Sequence, residues 1–301
     1  MGGATLKMIE EFLDYLRLEL NRSELTVKSY GDDLKAFYCF FKNLDEQLSW
    51  ETVDADVVRL WMESMMDKGN IATSINRRLS ALRSLYRFAL SRHLVKKNPA
   101  HGVSGPKNRK PLPQFLREKE MDELLDEKFD AWAGDYIKVR ARTIILTFYS
   151  TGIRLSELVS LNDAMIDFDS NQLKVTGKRD KQRIIPFGKE LREELLRYMQ
   201  LRNRCVEKHS EALFLTSNGE RMNQNKVRYE VKKYLSMVCT LKKRTPHVLR
   251  HTFATAMLNH AAGLEALRKL LGHESLATTE IYTHTTFEQL KQAYANAHPR
   301  A

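Results

Sequence analysis

Two helical domains, the second interrupted by one small three-stranded antiparallel sheet, are expected of this 301-residue chain. A mainly α fold follows from three observations. Apolar residues recur at helical spacing in four consecutive segments of the first hundred residues. Four of the seven prolines fall within residues 98–114, where no helix can continue. Between residues 165 and 187 the apolar period shortens to that of strands. The length also suits about two domains of ordinary size.

The elements follow in order. Leu6, Ile9, Phe12, Leu13, Leu16 and Leu20 line one side of a first helix over residues 6–20. Ser23 can cap a second, carrying Val27, Tyr30, Leu34, Phe37 and Phe41. Asp54 opens a third, with Val57, Val58, Trp61 and Met65, closed near Gly69. Thr73 is expected to open a fourth, with Ile75, Leu79, Leu82, Leu85, Tyr86 and Ala89 inward and Arg77, Arg78, Arg83 and Arg87 outward. Residues 98–114 read as an extended, basic linker. Helices resume at about 118–129 and 136–150. Met165 to Phe168, Leu173 to Thr176 and Ile184 to Phe187 then form the meander, turned at Asp169-Ser170-Asn171 and Lys178-Arg179-Asp180. The remainder, 189–298, is expected to be helical.

Composition narrows the function. Lys and Arg number 49 against 38 Asp and Glu, a formal net charge of +11. Basic clusters at 76–78, 83–92, 96–97, 107–110, 178–183 and 242–244 span both halves. Such a distribution favours a nucleic acid, since each phosphate neutralised releases counterions. Arg77, Arg78, Arg83, Lys107 and Arg179 are the candidate nucleic-acid contacts. The longest apolar runs, such as residues 144–149, are far shorter than the roughly 20 residues of a membrane span. The N-terminus lacks a basic region followed by an apolar core, so no secretory signal is expected. Cys39, Cys205 and Cys239 form no metal-ligand spacing, and an odd, sparse set suits a reducing cytoplasm.

Six residues could carry chemistry. Arg154 follows the break at Gly152; Lys178 sits on the meander's second turn. His247 and Arg250, at i and i+3 after Pro246, share one helix face. His251 is expected to point elsewhere, as a hydrogen-bonding core residue. His273 follows Gly272 at a helix end, and Tyr282 lies in the polar stretch 278–284. Taken singly, each has a plainer reading: a surface arginine, a solvated turn lysine, one tyrosine of eleven.

In this order and setting, the six resemble the active site of the tyrosine recombinases. The resemblance extends over Ser23 to Leu34, Ile75 to Arg83 and Asn98-Pro99-Ala100, which are similar to that family's helical core-binding domain. Residues 106–113 and the tail Ala297-His298-Pro299-Arg300-Ala301 resemble the Xer-type branch, short bacterial recombinases that resolve chromosome dimers. One departure is Ala261-Ala262-Gly263, where relatives commonly begin the turn with glycine and continue with an acidic residue.

The resemblance implies a DNA clamp: a SAM-like, four-helix core-binding domain at 1–97, the linker at 98–114 and a catalytic domain at 115–301. It implies that Tyr282 attacks a phosphodiester to leave a 3′-phosphotyrosine and a free 5′-hydroxyl, with no ATP, metal or other cofactor. Arg154 and Arg250 would clamp the phosphate oxygens, His247 serve as acid–base, Lys178 protonate the 5′-oxygen and His273 donate to the phosphate. Glu157 would orient its neighbours. The helix near residues 287–294 would dock on a neighbouring protomer, giving a homotetramer or a heterotetramer with a related recombinase on double-stranded DNA. An activating DNA translocase is a further partner the family admits. A mobile-element integrase, a type IB topoisomerase-like enzyme and a non-catalytic architectural protein remain alternatives.

Overall fold

The computed structural model describes residues 2–108, 114–126, 129, 132, 135–177, 181–272 and 287–300. Two compact units divide the chain, Met1–Pro111 and Leu112–Ala301.

In the first unit α1 (Gly2–Asp14) runs into a π-helical turn, Tyr15–Glu19. α2 (Glu24–Leu44) begins where Ser23 accepts the backbone N–H of Thr26, and α3 (Ala55–Asp67) where Asp54 accepts from Asp56 and Val57. These caps satisfy donors that a helix start leaves unpaired. Thr73 does not open α4 (Ala72–Ser91). Extended Ile71 precedes the helix, and its carbonyl accepts from Ser74 and Ile75, so the backbone starts the helix without a side-chain cap. Phe37 packs on Trp61 with ring centroids 4.7 Å apart, Phe41 on Trp50 at 5.2 Å, and buried Tyr86 donates to the Trp50 carbonyl at 3.0 Å.

The first part of the expected linker packs on this unit. Ala100 and Val103 are buried in its core. Arg83 donates to both of their carbonyls, and the Asn76 amide donates to the Pro106 carbonyl at 2.8 Å. Proline and glycine stop a helix there without preventing burial.

The second unit is built around α6 (Tyr136–Thr151), buried at every position from Val139 to Thr151. α5 (Glu118–Leu125) is shorter than expected, ending at Asp126. After α7 (Leu155–Ser160) and a 3-10 turn comes the three-stranded antiparallel meander, in order β1 (Ile166–Asp167), β2 (Gln172–Thr176) and β3 (Gln182–Pro186). Its register pairs Leu173 with Ile185 and Val175 with Arg183.

α8 (Lys189–Cys205) and α9 (Gln224–Val238) follow, but residues 206–223 between them are not helical as expected. There Ala212 to Leu215 lie buried in extended bridges to Asn162 and Arg221, and Ser217-Asn218-Gly219 reverses the chain, with Gly219 at φ +76°. A short apolar run bounded by turn residues reads equally as strand or helix, and tertiary pairing decided it.

α10 (Pro246–Asn259), α11 (Leu264–Leu271) and α12 (Phe287–Ala297) complete the unit. α12 packs on α10, α11 and β3 of its own unit, with Tyr294 buried. Beyond it, His298 Nε2 donates to the Tyr149 carbonyl at 3.0 Å while Nδ1 accepts from the Arg300 N–H at 3.1 Å. The imidazole is therefore neutral, and burial lowers its pKa to about 4.

The turn that departs from the family pattern carries backbone strain. Exposed Ala261 sits at φ +61°, a conformation that glycine adopts freely and alanine does not. Ala261→Gly is expected to stabilise the fold by about 1 kcal/mol, read as a higher urea midpoint at unchanged slope. A lower midpoint would mean that the methyl group contributes more than the strain costs.

Among the described residues no helix is long and apolar enough to cross a membrane, and no group of three His, Cys, Asp or Glu could hold a metal ion.

Candidate active site

The site is assembled from three chain breaks. α6 ends at Gly152, which is left-handed (φ +60°), and a Cβ there would lie 2.4 Å from the Phe253 ring. Glycine thus meets both a conformational and a steric demand, and it lets α10 approach the end of α6. Two residues on, Arg154 caps α7. The carboxylate of Glu157 accepts the Arg154 backbone N–H at 2.7 Å and its Nη1 at 2.8 Å.

Arg183 reaches the same carboxylate from β3, Nη1 to Oε1 at 2.7 Å and Nη2 to Oε2 at 2.9 Å. Glu157 is only 2% exposed. Burial alone would raise its pKa; the bonds from Arg183 and from the Arg154 backbone override that and hold it at about 2. It is a permanent anion between two guanidiniums.

Arg250 comes from the second turn of α10, after the helix-starting Pro246. Its Nη1 donates to the Gly152 carbonyl at 2.6 Å. Burial, then repulsion from Arg154, lowers its pKa to about 10, with Glu157 opposing. It stays cationic at neutral pH.

α11 closes the arrangement. Its last carbonyls have no partner within the helix, and each of three in succession is taken by a different arginine. Leu270 accepts from Arg183 Nε at 2.8 Å, Leu271 from Arg250 Nη2 at 2.7 Å and Gly272 from Arg154 Nη2 at 2.9 Å. The negative end of the helix dipole favours these cations. The next residue in the chain is His273.

His247, one turn before Arg250, has its pKa lowered by burial first and then by His251 and Arg250. A neutral imidazole beside guanidiniums can accept a proton. His251 does not point away as expected: at i+4 it meets the His247 ring edge-on, with centroids 4.6 Å apart.

Residues 114–289 match the phage integrase family, and residues 9–93 match the phage integrase N-terminal SAM-like domain. The chain belongs to the phage integrase family. This recombinase is 38% identical to the tyrosine recombinase XerC of Chlorobaculum parvum, over 99% of this chain and 96% of that protein. It is 37% identical to the XerC of Staphylococcus saprophyticus, over 98% of each. It is a tyrosine-type site-specific DNA recombinase. In fold it resembles the Tn1549 transposon integrase in complex with transposon right end DNA (TM-score 0.71, 22% identity, 95% of this chain and 97% of that one). It also resembles the XerH recombinase bound to palindromic difH substrate (TM-score 0.72, 21% identity, 95% and 83%).

Of the six residues singled out in the recombinase sequence, the structure brings Arg154 and Arg250 onto one turn and sets His247 beside Arg250. Lys178, His273 and Tyr282 lie outside the described residues, as does Arg179. Among the candidate DNA contacts, Arg77 forks onto the buried carboxylate of Asp33 while its side chain stays 44% exposed. Arg78 shares Asp33 at 3.5 Å, Arg83 is spent on the carbonyls of residues 100 and 103, and Lys107 is exposed.

Arg183 was not singled out from sequence beyond its membership of a basic cluster. A signal existed. Opposite residues of an antiparallel pair share a face, and Arg183 faces buried Val175, two residues before buried Ile185. An arginine on the apolar side of a strand requires a partner, and Glu157 is that partner.

Proposed function

We propose that the recombinase cleaves DNA by attack of the Tyr282 hydroxyl on a phosphodiester, and that its role is Xer-type resolution of chromosome dimers in the cytoplasm. The observation that carries this reading is the convergence of Arg154 and Arg250 on the turn that leads into His273. Phosphoryl transfer concentrates negative charge on the phosphate oxygens, and fixed guanidiniums stabilise it without reorganising during the reaction. The fork geometry of a guanidinium suits bidentate contact with a phosphate.

In this reading the phosphorus–O5′ bond breaks as the bond to Tyr282 forms, Lys178 protonates the departing 5′-oxygen, His247 takes the phenolic proton and His273 donates to a phosphate oxygen. The 3′-phosphotyrosine conserves the bond energy, and a 5′-hydroxyl of a partner duplex reverses the step. Recombination then needs four protomers on two duplexes, as a homotetramer or with a related recombinase, and the reaction is open to activation by a DNA translocase. α12 would re-form its contacts with α10, α11 and β3 between neighbours, linking one active site to the next. Arg77, Arg78, Lys107 and Arg179 would meet DNA phosphates, whereas Arg83 would act by holding residues 100 and 103.

The test is a denaturant-resistant protein–DNA adduct formed with fragmented host DNA in EDTA. Adducts whose sequenced DNA is a single chromosomal resolution site are expected. Sequences from the ends of a mobile element would replace the chromosomal role with an element-borne one; salt-sensitive binding without any adduct would leave a partner-dependent recombinase or the architectural reading, which adding candidate partner recombinases separates.

A further inference from the structure

We propose that Arg183 is a positioning residue of strand cleavage, locking the phosphate-binding Arg154 and the turn before His273 into one frame. The proposal rests on the catalytic assignment above. Arg183 touches no reacting atom in it.

The geometry is specific. Three elements meet at this one guanidinium, β3 supplying it, the start of α7 supplying Glu157 and the end of α11 supplying the Leu270 carbonyl. All three nitrogens are engaged, at 2.7 to 2.9 Å, and the side chain is 14% exposed. Gly272 is shaped around it: a Cβ there would stand 3.1 Å from Arg183 Nη1 and 3.3 Å from its Cδ. Glu157 in turn fixes Arg154 through backbone and side chain.

Without Arg183, Glu157 keeps one cationic partner and the Leu270 carbonyl loses its donor. Arg154 and the turn before His273 could then shift independently by a fraction of an ångström. A lysine preserves the charge but offers a point donor, which cannot span the carboxylate and the carbonyl together.

The experiment measures single-turnover cleavage by the full-length protein on a nicked duplex built on the DNA recovered from wild-type adducts, with affinity measured alongside. Arg183→Ala is expected to slow cleavage about 100-fold, the scale of a small misplacement in the reacting geometry. Affinity should stay within about threefold, because most binding comes from phosphate contacts elsewhere. Millimolar guanidinium should restore Arg183→Ala in part and leave Tyr282→Phe inactive, and Arg183→Lys should remain slow.

Cleavage by Arg183→Ala within about threefold of wild type would overturn the proposal. So would a slow Arg183→Ala that guanidinium does not rescue, or full activity in Arg183→Lys. If Arg183→Ala melts below the assay temperature, Arg183→Lys decides. Absence of a wild-type adduct even with candidate partner recombinases added would sink the catalytic assignment itself, whereas a wild-type adduct with an unimpaired Arg183→Ala would sink only this role.

Discussion

Tyr282→Phe is expected to abolish the covalent adduct entirely while leaving DNA affinity and its salt dependence unchanged. The substitution removes one oxygen, the proposed nucleophile, and no cation. A phenol with a reference pKa of about 10 is protonated at neutral pH and gains reactivity only from positive surroundings and a base. The fixed guanidiniums of Arg154 and Arg250 supply the first and neutral His247 the second. Phenylalanine retains the ring and lacks the group on which all of this acts. The measurement is adduct yield on denaturing gels beside the slope of log K against log salt, wild type against variant. A residual adduct in Tyr282→Phe would move the nucleophile to another side chain. A flattened salt slope would show that Tyr282 also helps order the DNA contacts.

The second large effect is on stability. Glu157→Gln is expected to destabilise the second unit by about 3 kcal/mol at neutral pH, because a buried anion is removed from between two guanidiniums that remain. The pH dependence has a definite sign. The carboxyl falls from an ordinary 4.5 to about 2 in the folded chain. A depressed pKa contributes stability that is complete above the unfolded value and lost as pH falls through the folded one. The gap between wild type and Glu157→Gln in urea melts should therefore be full above pH 5 and close toward pH 2. A gap independent of pH over that window would mean that packing, not charge, accounts for the loss. Cleavage should fall as well, since one of the two oxygens that orient Arg154 becomes an amide nitrogen that cannot accept.

Much of the fold was legible because it follows from local rules. Helical spacing placed the four helices of the first unit, Ser23 and Asp54 capped as expected, and the change of period at 165–187 marked the meander. The departures have two origins. Thr73 gave way to the backbone of Ile71, and residues 206–223 took their conformation from bridges to Asn162 and Arg221. Residues 100 and 103 were drawn into the first core by Arg83. In the last two cases a partner outside the local window decided the outcome, whereas at α4 the neighbouring backbone did.

Residue types and their order are written in the chain: arginines at 154 and 250, a histidine one turn before the second, and glycines at 152 and 272, where α6 and α11 end with the chain turning left-handed. Those are properties of neighbours in the chain, and periodicity reveals them. Only the tertiary structure decided that Arg154, Arg183 and Arg250 bind three successive carbonyls at the end of α11, across sequence separations of 118, 87 and 21 residues. Which cation takes which orphan carbonyl depends on how α6, α7, α10, α11 and β3 pack. It depends too on the glycines at 152 and 272 that permit the close approach, and the spacing of residues along the chain does not contain that geometry.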